Sequence, residues 1–124
     1  MIVDDSEQFL AAARDHLTRG GLDVVATAMN QQEALTQAEE VRPDVVLVDI
    51  NLGAESGVDL TRRLVDRFPD LRRRIVLIST LDEEDVAELI VDSPAVGFLP
   101  KTRLSARAIR DLMDGDHRGR SPRG

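Results

Sequence analysis

The sequence predicts a doubly wound α/β fold, a parallel sheet with helices on both faces. Two runs, Val45-Val46-Leu47-Val48 and Ile75-Val76-Leu77-Ile78, carry no polar alternation, as expected of central parallel strands covered on both sides. Short apolar runs of this kind alternate along the chain with longer segments of helical period, the pattern of repeated βα units. At 124 residues the chain fits one ordinary domain, and no apolar run approaches the roughly 20 residues a membrane-spanning helix needs.

Each element follows in order. Ile2-Val3 is a strand stub that stops at Asp4-Asp5, and Ser6 caps a helix with Phe9, Leu10, Ala13 and Leu17 on one face. Gly20-Gly21 ends that helix, and Leu22 to Ala28 reads as the second strand. Asn30, with Glu33 three residues on, starts a second helix that carries Ala34, Leu35, Ala38 and Val41 and closes at Pro43. The third strand stops at Asp49. A loop through Gly53 and Gly57 leads to a helix with Leu60, Leu64, Val65 and Phe68 on one side, ended by Pro69. The fourth strand stops at Ser79-Thr80, and Asp82, Glu83, Glu84 and Asp85 sit where the dipole of a helix N-terminus favours acids. The fifth strand, Ala95 to Leu99, ends at Pro100-Lys101. Ser105 caps a last helix with Ile109, Leu112 and Met113 facing inward. Residues 114–124, DGDHRGRSPRG, have no large apolar side chain and read as a disordered polar tail.

Composition excludes several function classes. The chain has no Cys, so neither a disulfide framework nor a thiolate metal site is possible. Its formal charge of −7 opposes binding to phosphate backbones, and with three Phe and no Tyr or Trp it has no base-stacking platform. No cleavable signal segment precedes the first acidic residues, so the cytoplasm is the expected compartment. His16 in the first helix and His117 in the tail read as solvated residues.

In an open parallel sheet, ligands bind outside the carboxyl ends of the strands. There the sequence puts Asp4 and Asp5, Asp49, Ser79 and Lys101. Close carboxylates repel one another unless a cation or proton intervenes, and an all-oxygen donor set suits Mg²⁺. Lys101 is the one Lys beside fifteen Arg, and its compact charge suits a phosphoryl oxygen. A strand-end Asp is also an ordinary turn or cap residue; it is the convergence of five groups from four strands that points to a site.

The segments VDDS at 3–6, PDVVLVDINLGAESGVDL at 43–60, IVLIST at 75–80 and GFLPK at 97–101 resemble the receiver domain of two-component response regulators. The likeness covers residues 1–113, and FLPK with LSARAI at 104–109 looks most like the nitrate/nitrite-regulator branch. It implies a flavodoxin-like five-stranded parallel sheet in the order 2-1-3-4-5 with five helices. It makes Asp49 the phosphoacceptor, gives Mg²⁺ the ligands Asp4, Asp5, Asp49 and the Asn51 carbonyl, and sets Ser79 and Lys101 on phosphoryl oxygens. Phe98 matches an aromatic residue that turns inward on activation. The implied partners are a sensor histidine kinase and, through the face of the fourth helix, fifth strand and fifth helix, a second copy or an effector domain.

Three positions and the length of the first strand depart from the family pattern. Gly53 stands where Pro is common, which is expected to loosen the loop carrying Asn51. Thr80 stands for Ala or Gly and is expected to crowd Asp49, while Pro94 replaces a Gly before the fifth strand. The first strand lacks several residues that usually precede the acid pair, attributed to a trimmed or reassigned start that costs stability. Output is either that of a stand-alone receiver or of an effector domain beyond residue 113.

Rival readings are weaker. Haloacid-dehalogenase phosphatases carry a second Asp two positions after the nucleophile, where this chain has Asn51. Neither GxxxxGK[ST] nor GxGxxG occurs. The reading is thus a regulatory phosphoacceptor with weak self-catalysed chemistry rather than a metabolic enzyme. The alternative is a receiver-like docking module that works without phosphorylation, which need not bind Mg²⁺.

Overall fold

The computed structural model describes residues 1–81, 83–91 and 93–119. Five parallel strands, β1 (Ile2–Val3), β2 (Thr27–Ala28), β3 (Val46–Asp49), β4 (Ile75–Ser79) and β5 (Gly97–Pro100), form one sheet in the order β2-β1-β3-β4-β5. Five helices connect and flank them: α1 (Glu7–Arg19), α2 (Gln31–Val41), α3 (Gly57–Arg67), α4 (Glu83–Val91) and α5 (Ala106–Gly119). A separate two-residue antiparallel ladder joins Asn51–Leu52 to Glu55–Ser56 at the exit of β3.

The apolar runs explain the layers. Successive strand residues point to opposite faces, so Val46, Val48, Ile75 and Leu77 join the cluster of Ala34, Ala38, Leu60, Leu64 and Val86 from α2, α3 and α4. Leu47, Val76 and Ile78 join Leu10, Ala13 and Leu17 of α1 and Ile109 of α5 on the other face. These strand residues are at most 3% exposed, and each fully buried Val, Leu or Ile contributes about 1.5–3 kcal/mol. The sheet is therefore rigid where its carboxyl ends carry the polar residues.

The helix starts follow their caps. Ser6 Oγ accepts from Phe9 N at 3.2 Å, and Ser105 Oγ from Ala108 N at 3.0 Å. Asn30 Oδ1 accepts from Glu33 N while Glu33 Oε1 accepts from Met29 N, both at 2.9 Å, a reciprocal capping arrangement. Ser56, unread in the sequence, caps α3 by accepting from Asp59 N at 3.1 Å.

Some boundaries differ from expectation. The second strand was expected over Leu22 to Ala28, yet only Thr27–Ala28 pair, because β1 offers it just Ile2 and Val3. Val25, left without a neighbouring strand, is 44% exposed. The fifth strand starts two residues late, at Gly97, although Val96 N already bonds Ile75 O at 2.8 Å. Of the expected tail, residues 114–119 continue α5, since an established helix gains one hydrogen bond for each residue added; residues 120–124 lie outside the described residues, as does Asp82. At Pro94 a Gly cap is replaced by a serine turn, in which Ser93 Oγ accepts from Ala95 N at 3.0 Å and Ser93 N donates to Ile90 O at 3.1 Å.

Candidate functional site

Parallel register sets the acid groups side by side. Val3 pairs with Val48 and Asp49 with Ile78, so the residues that follow β1 and end β3 and β4 emerge at one rim. Asp4 is fully buried and Asp49 nearly so, whereas Asp5 is exposed. One carboxylate oxygen from each of the three lies within 4.8 Å of the others, so the cluster could hold a metal ion.

Lys101 closes the cluster from the end of β5. Its Nζ is 2.6 Å from Asp4 Oδ2 and 3.3 Å from Asp49 Oδ2, and it rests 4.3 Å from the centroid of the Phe9 ring. Asp4 Oδ1 accepts from Ser6 N at 2.9 Å. Asp4 Oδ2 accepts no well-aligned hydrogen bond among the described residues, leaving the ammonium as its compensation. A buried carboxylate oxygen with only an ion pair is a strong candidate for a hard cation's ligand. Burial raises the Asp49 carboxyl from 3.8 to about 6; the Lys101 charge opposes this, Asp4 adds to it, and the Asn51 N–H opposes it again. Burial alone would lower Lys101, but its bond to Asp4 and the charges of Asp49 and Asp4 carry it above its ordinary value.

Asn51 enters through its backbone, donating its N–H to Asp49 Oδ1 at 3.2 Å, while its residue is exposed. Ser79 is buried at the end of β4, where its Oγ accepts from Leu81 N at 3.0 Å and retains its own proton for donation. Thr80 is exposed beside it. Gly53 gives the loop a shape of its own. It sits at φ 65°, a conformation barred to Pro, and makes the tight turn of the 51–56 ladder.

Phe98 is not among the clustered polar groups. It is 7% exposed and packed in the cluster of Val86 and Ala95, the inward orientation of the rotation expected of it. Strand alternation explains this: Phe98 points to the α2–α4 face and Leu99 to the α1–α5 face. His16 lies apart, its Nε2 3.1 Å from Leu104 O. Sequence reasoning missed Phe9 as the support of Lys101, and it missed Gly57. A Cβ at Gly57 would lie 1.9 Å from Asp49 O, so the backbone of α3's first turn abuts the strand end that carries Asp49. The only sequence signal was a glycine opening an otherwise ordinary helix.

The family model of the response regulator receiver domain matches residues 1–113. This chain belongs to the response regulator receiver family. Among curated relatives, the protein-glutamate methylesterase/protein-glutamine glutaminase of Archaeoglobus fulgidus is 33% identical over 103 residues, 82% of this chain but 29% of that protein. The signal receiver domain of the response regulator NarL from Mycobacterium tuberculosis matches with TM-score 0.76 and 27% identity, covering 92% of this chain and 94% of that one. A Burkholderia pseudomallei response regulator with a phosphorylated aspartic acid and a calcium ion matches with TM-score 0.75 and 27% identity, over 96% of this chain and 71% of that one. The receiver spans less than half the length of the curated relatives it matches. No described helix is long and apolar enough to cross a membrane.

Proposed function

We propose that this receiver is a phosphoacceptor switch in which Asp49 takes a phosphoryl group from a phosphohistidine of a sensor histidine kinase. An oxygen–phosphorus bond forms at the Asp49 carboxylate as the phosphorus–nitrogen bond of the kinase breaks, and the imidazole leaves with the electron pair. The observation that carries this reading is the convergence of Asp4, Asp49 and Lys101 around one nearly buried carboxylate. Asp4, Asp5 and Asp49, with the Asn51 carbonyl, are the residues that would hold Mg²⁺; when bound, the ion offsets the charge of the phosphoryl oxygens. Lys101 meets that charge from its own side, and Ser79 offers a hydroxyl proton. The Burkholderia relative's phosphorylated aspartic acid supports extending the same chemistry to this chain.

A phosphoryl group brings about −1.5 to −2 charges, and the loop after Ser79 is the segment placed to respond. With Phe98 already buried, the change is carried by Ser79 and the start of α4 rather than by burial of a free ring. The receiving surface is the α4–β5–α5 face, on which Arg103, Arg107 and Arg110 are exposed; it would dock a second copy or an effector domain. The domain is a cytoplasmic regulatory element that resets by slow hydrolysis, of the nitrate/nitrite-regulator type.

The test is incubation with a small acyl-phosphate donor, with Mg²⁺ or with chelator. Borohydride trapping and peptide mapping should find the acyl phosphate on Asp49 only when Mg²⁺ is present. Absence of label, or label indifferent to Mg²⁺, overturns the reading; the first result would fit a docking module that works without phosphorylation.

A second expectation concerns pH. Above about pH 6 the Asp49 carboxylate is ionised and repelled by Asp4, so a bound cation relieves most there. Mg²⁺ should raise the unfolding midpoint clearly at pH 7.5 (about 5 °C at saturating ion) and barely at about pH 5. Thermal unfolding at both pH values checks this, and equal shifts would contradict it.

A further inference from the structure

We infer that Gln31 and Glu55 form a clamp that positions the Asn51 backbone, and through it the metal-binding rim, without touching the ion themselves. The metal half of this inference rests on the function proposed above; the clamp itself rests on geometry. Residues 51–56 form only two antiparallel pairs, Asn51 with Ser56 and Leu52 with Glu55, around the positive-φ turn at Gly53. A two-pair ladder is not stable in water without support. Leu52, 3% exposed, anchors the first arm by its side chain, but a side chain in the core leaves the direction of the Asn51 carbonyl open.

The second arm is held by α2. Glu55 Oε1 accepts from Gln31 N at 2.9 Å, satisfying a first-turn N–H that has no partner inside its helix and setting a carboxylate at the positive end of the dipole. The Gln31 side chain returns the contact: Nε2 donates to Ser56 O at 3.0 Å and to Asp59 Oδ2 at 3.2 Å. Gln31 thus ties three elements, the start of α2, the ladder and the first turn of α3. Its own position is set by the Asn30–Glu33 capping pair.

Ser56 is the register partner of Asn51, so displacement of Ser56 passes across the ladder to the peptide group that also bonds Asp49 Oδ1. Fixing Ser56 therefore fixes the residue expected to offer its carbonyl to the ion. A glycine turn such as that at Gly53 does not hold itself rigid, so its support comes from these side-chain bonds. Gln31 and Glu55 are positioning residues.

The experiment uses the full chain with Gln31→Ala and Gln31→Glu, read by amide hydrogen exchange at residues 51–57, Mg²⁺ titration followed by NMR, and thermal unfolding. Gln31→Ala should speed exchange across the ladder and weaken Mg²⁺ binding about three- to tenfold, the loss of one or two hydrogen bonds, with the unfolding midpoint close to wild type. Gln31→Glu, which sets a carboxylate against Asp59 and Glu55, should do more. Glu55→Gln, which keeps an acceptor, should restore most of what Glu55→Ala loses. Unchanged exchange and unchanged Mg²⁺ affinity in Gln31→Ala would overturn the clamp. If the wild type binds no Mg²⁺, the reading of the site fails, and exchange at residues 51–57 still decides the clamp.

Discussion

Asp49→Asn is expected to abolish acyl-phosphate labelling altogether while making the protein more stable at neutral pH. The loss is complete because the amide cannot form the oxygen–phosphorus bond, and the neighbouring carboxylates are engaged otherwise: Asp4 is fully buried against Lys101 at 2.6 Å, and Asp5 is expected to serve the cation. The gain in stability follows from linkage. The folded Asp49 carboxyl keeps its proton up to about pH 6, against 3.8 for a free one, so between these values the folded state binds more protons than the unfolded state. This group's contribution to stability therefore falls as pH rises through that window and stays low above it. Removing the ionisable group removes the penalty, about 1–3 kcal/mol at pH 7.5 without divalent ions, given 1.36 kcal/mol for each pKa unit. The Asn51 N–H keeps an acceptor in the amide oxygen, and Lys101 keeps Asp4. Urea unfolding of both proteins at about pH 4 and pH 7.5 in chelator provides the measurement. A variant that still takes label, or one less stable than wild type at pH 7.5, would contradict the assignment of Asp49.

The polar rim was legible because each of its members ends an uninterrupted apolar run or directly follows one. Asp49 after Val45–Val48 and Ser79 after Ile75–Ile78 could be placed from strand length alone, and the parallel sheet then brought Asp4 and Lys101 to the same edge. What pairs with what inside that edge was not legible. That Lys101 leans on Phe9, or that Gln31 meets Ser56, depends on how α1 and α2 enter the rim, and no local pattern encodes an entry angle. The same distinction explains the second strand. Val24-Val25 has strand-forming residues, but a ladder needs a partner, and β1 ends two residues away. Tertiary context overrode propensity there, as it commonly does for strands.

Phe98 is a different case. Its position was identified by family likeness, and its starting orientation was inferred from a mechanism rather than from strand alternation. Counting from Gly97 at the edge of β5, alternation alone sends Phe98 toward α4 and Leu99 toward α5, as observed. A structure with beryllofluoride and Mg²⁺ bound bears on Ser79 and the loop to α4 more than on the ring.

Gly57→Ala should be the most damaging small substitution in the chain. An added Cβ would stand 1.9 Å from Asp49 O, 2.8 Å from Asp49 C and 3.0 Å from Ile50 Cα, all of them backbone atoms of a buried strand end that cannot swing aside. Relief requires α3's first turn to withdraw, which breaks the 2.7 Å bond from Gly57 N to Ile50 O and pulls Ser56 from its ladder. The cost should be about 3 kcal/mol or more, as for severe overpacking, or about 10 °C in the unfolding midpoint for a domain of this size. Gly97→Ala is the control. The nearest atoms its Cβ would meet all belong to the Leu112 side chain, Cδ2 at 2.9 Å first, a half-buried side chain that can change rotamer, so the loss should stay near 1 kcal/mol. The two variants also part in function, because only Gly57→Ala moves the segment bearing Asp49 and Asn51; Mg²⁺ binding should be lost there and kept in Gly97→Ala. Equal losses of stability would mean that the strand end yields more readily than its burial implies, and intact Mg²⁺ affinity in Gly57→Ala would separate α3's docking from the geometry of the rim.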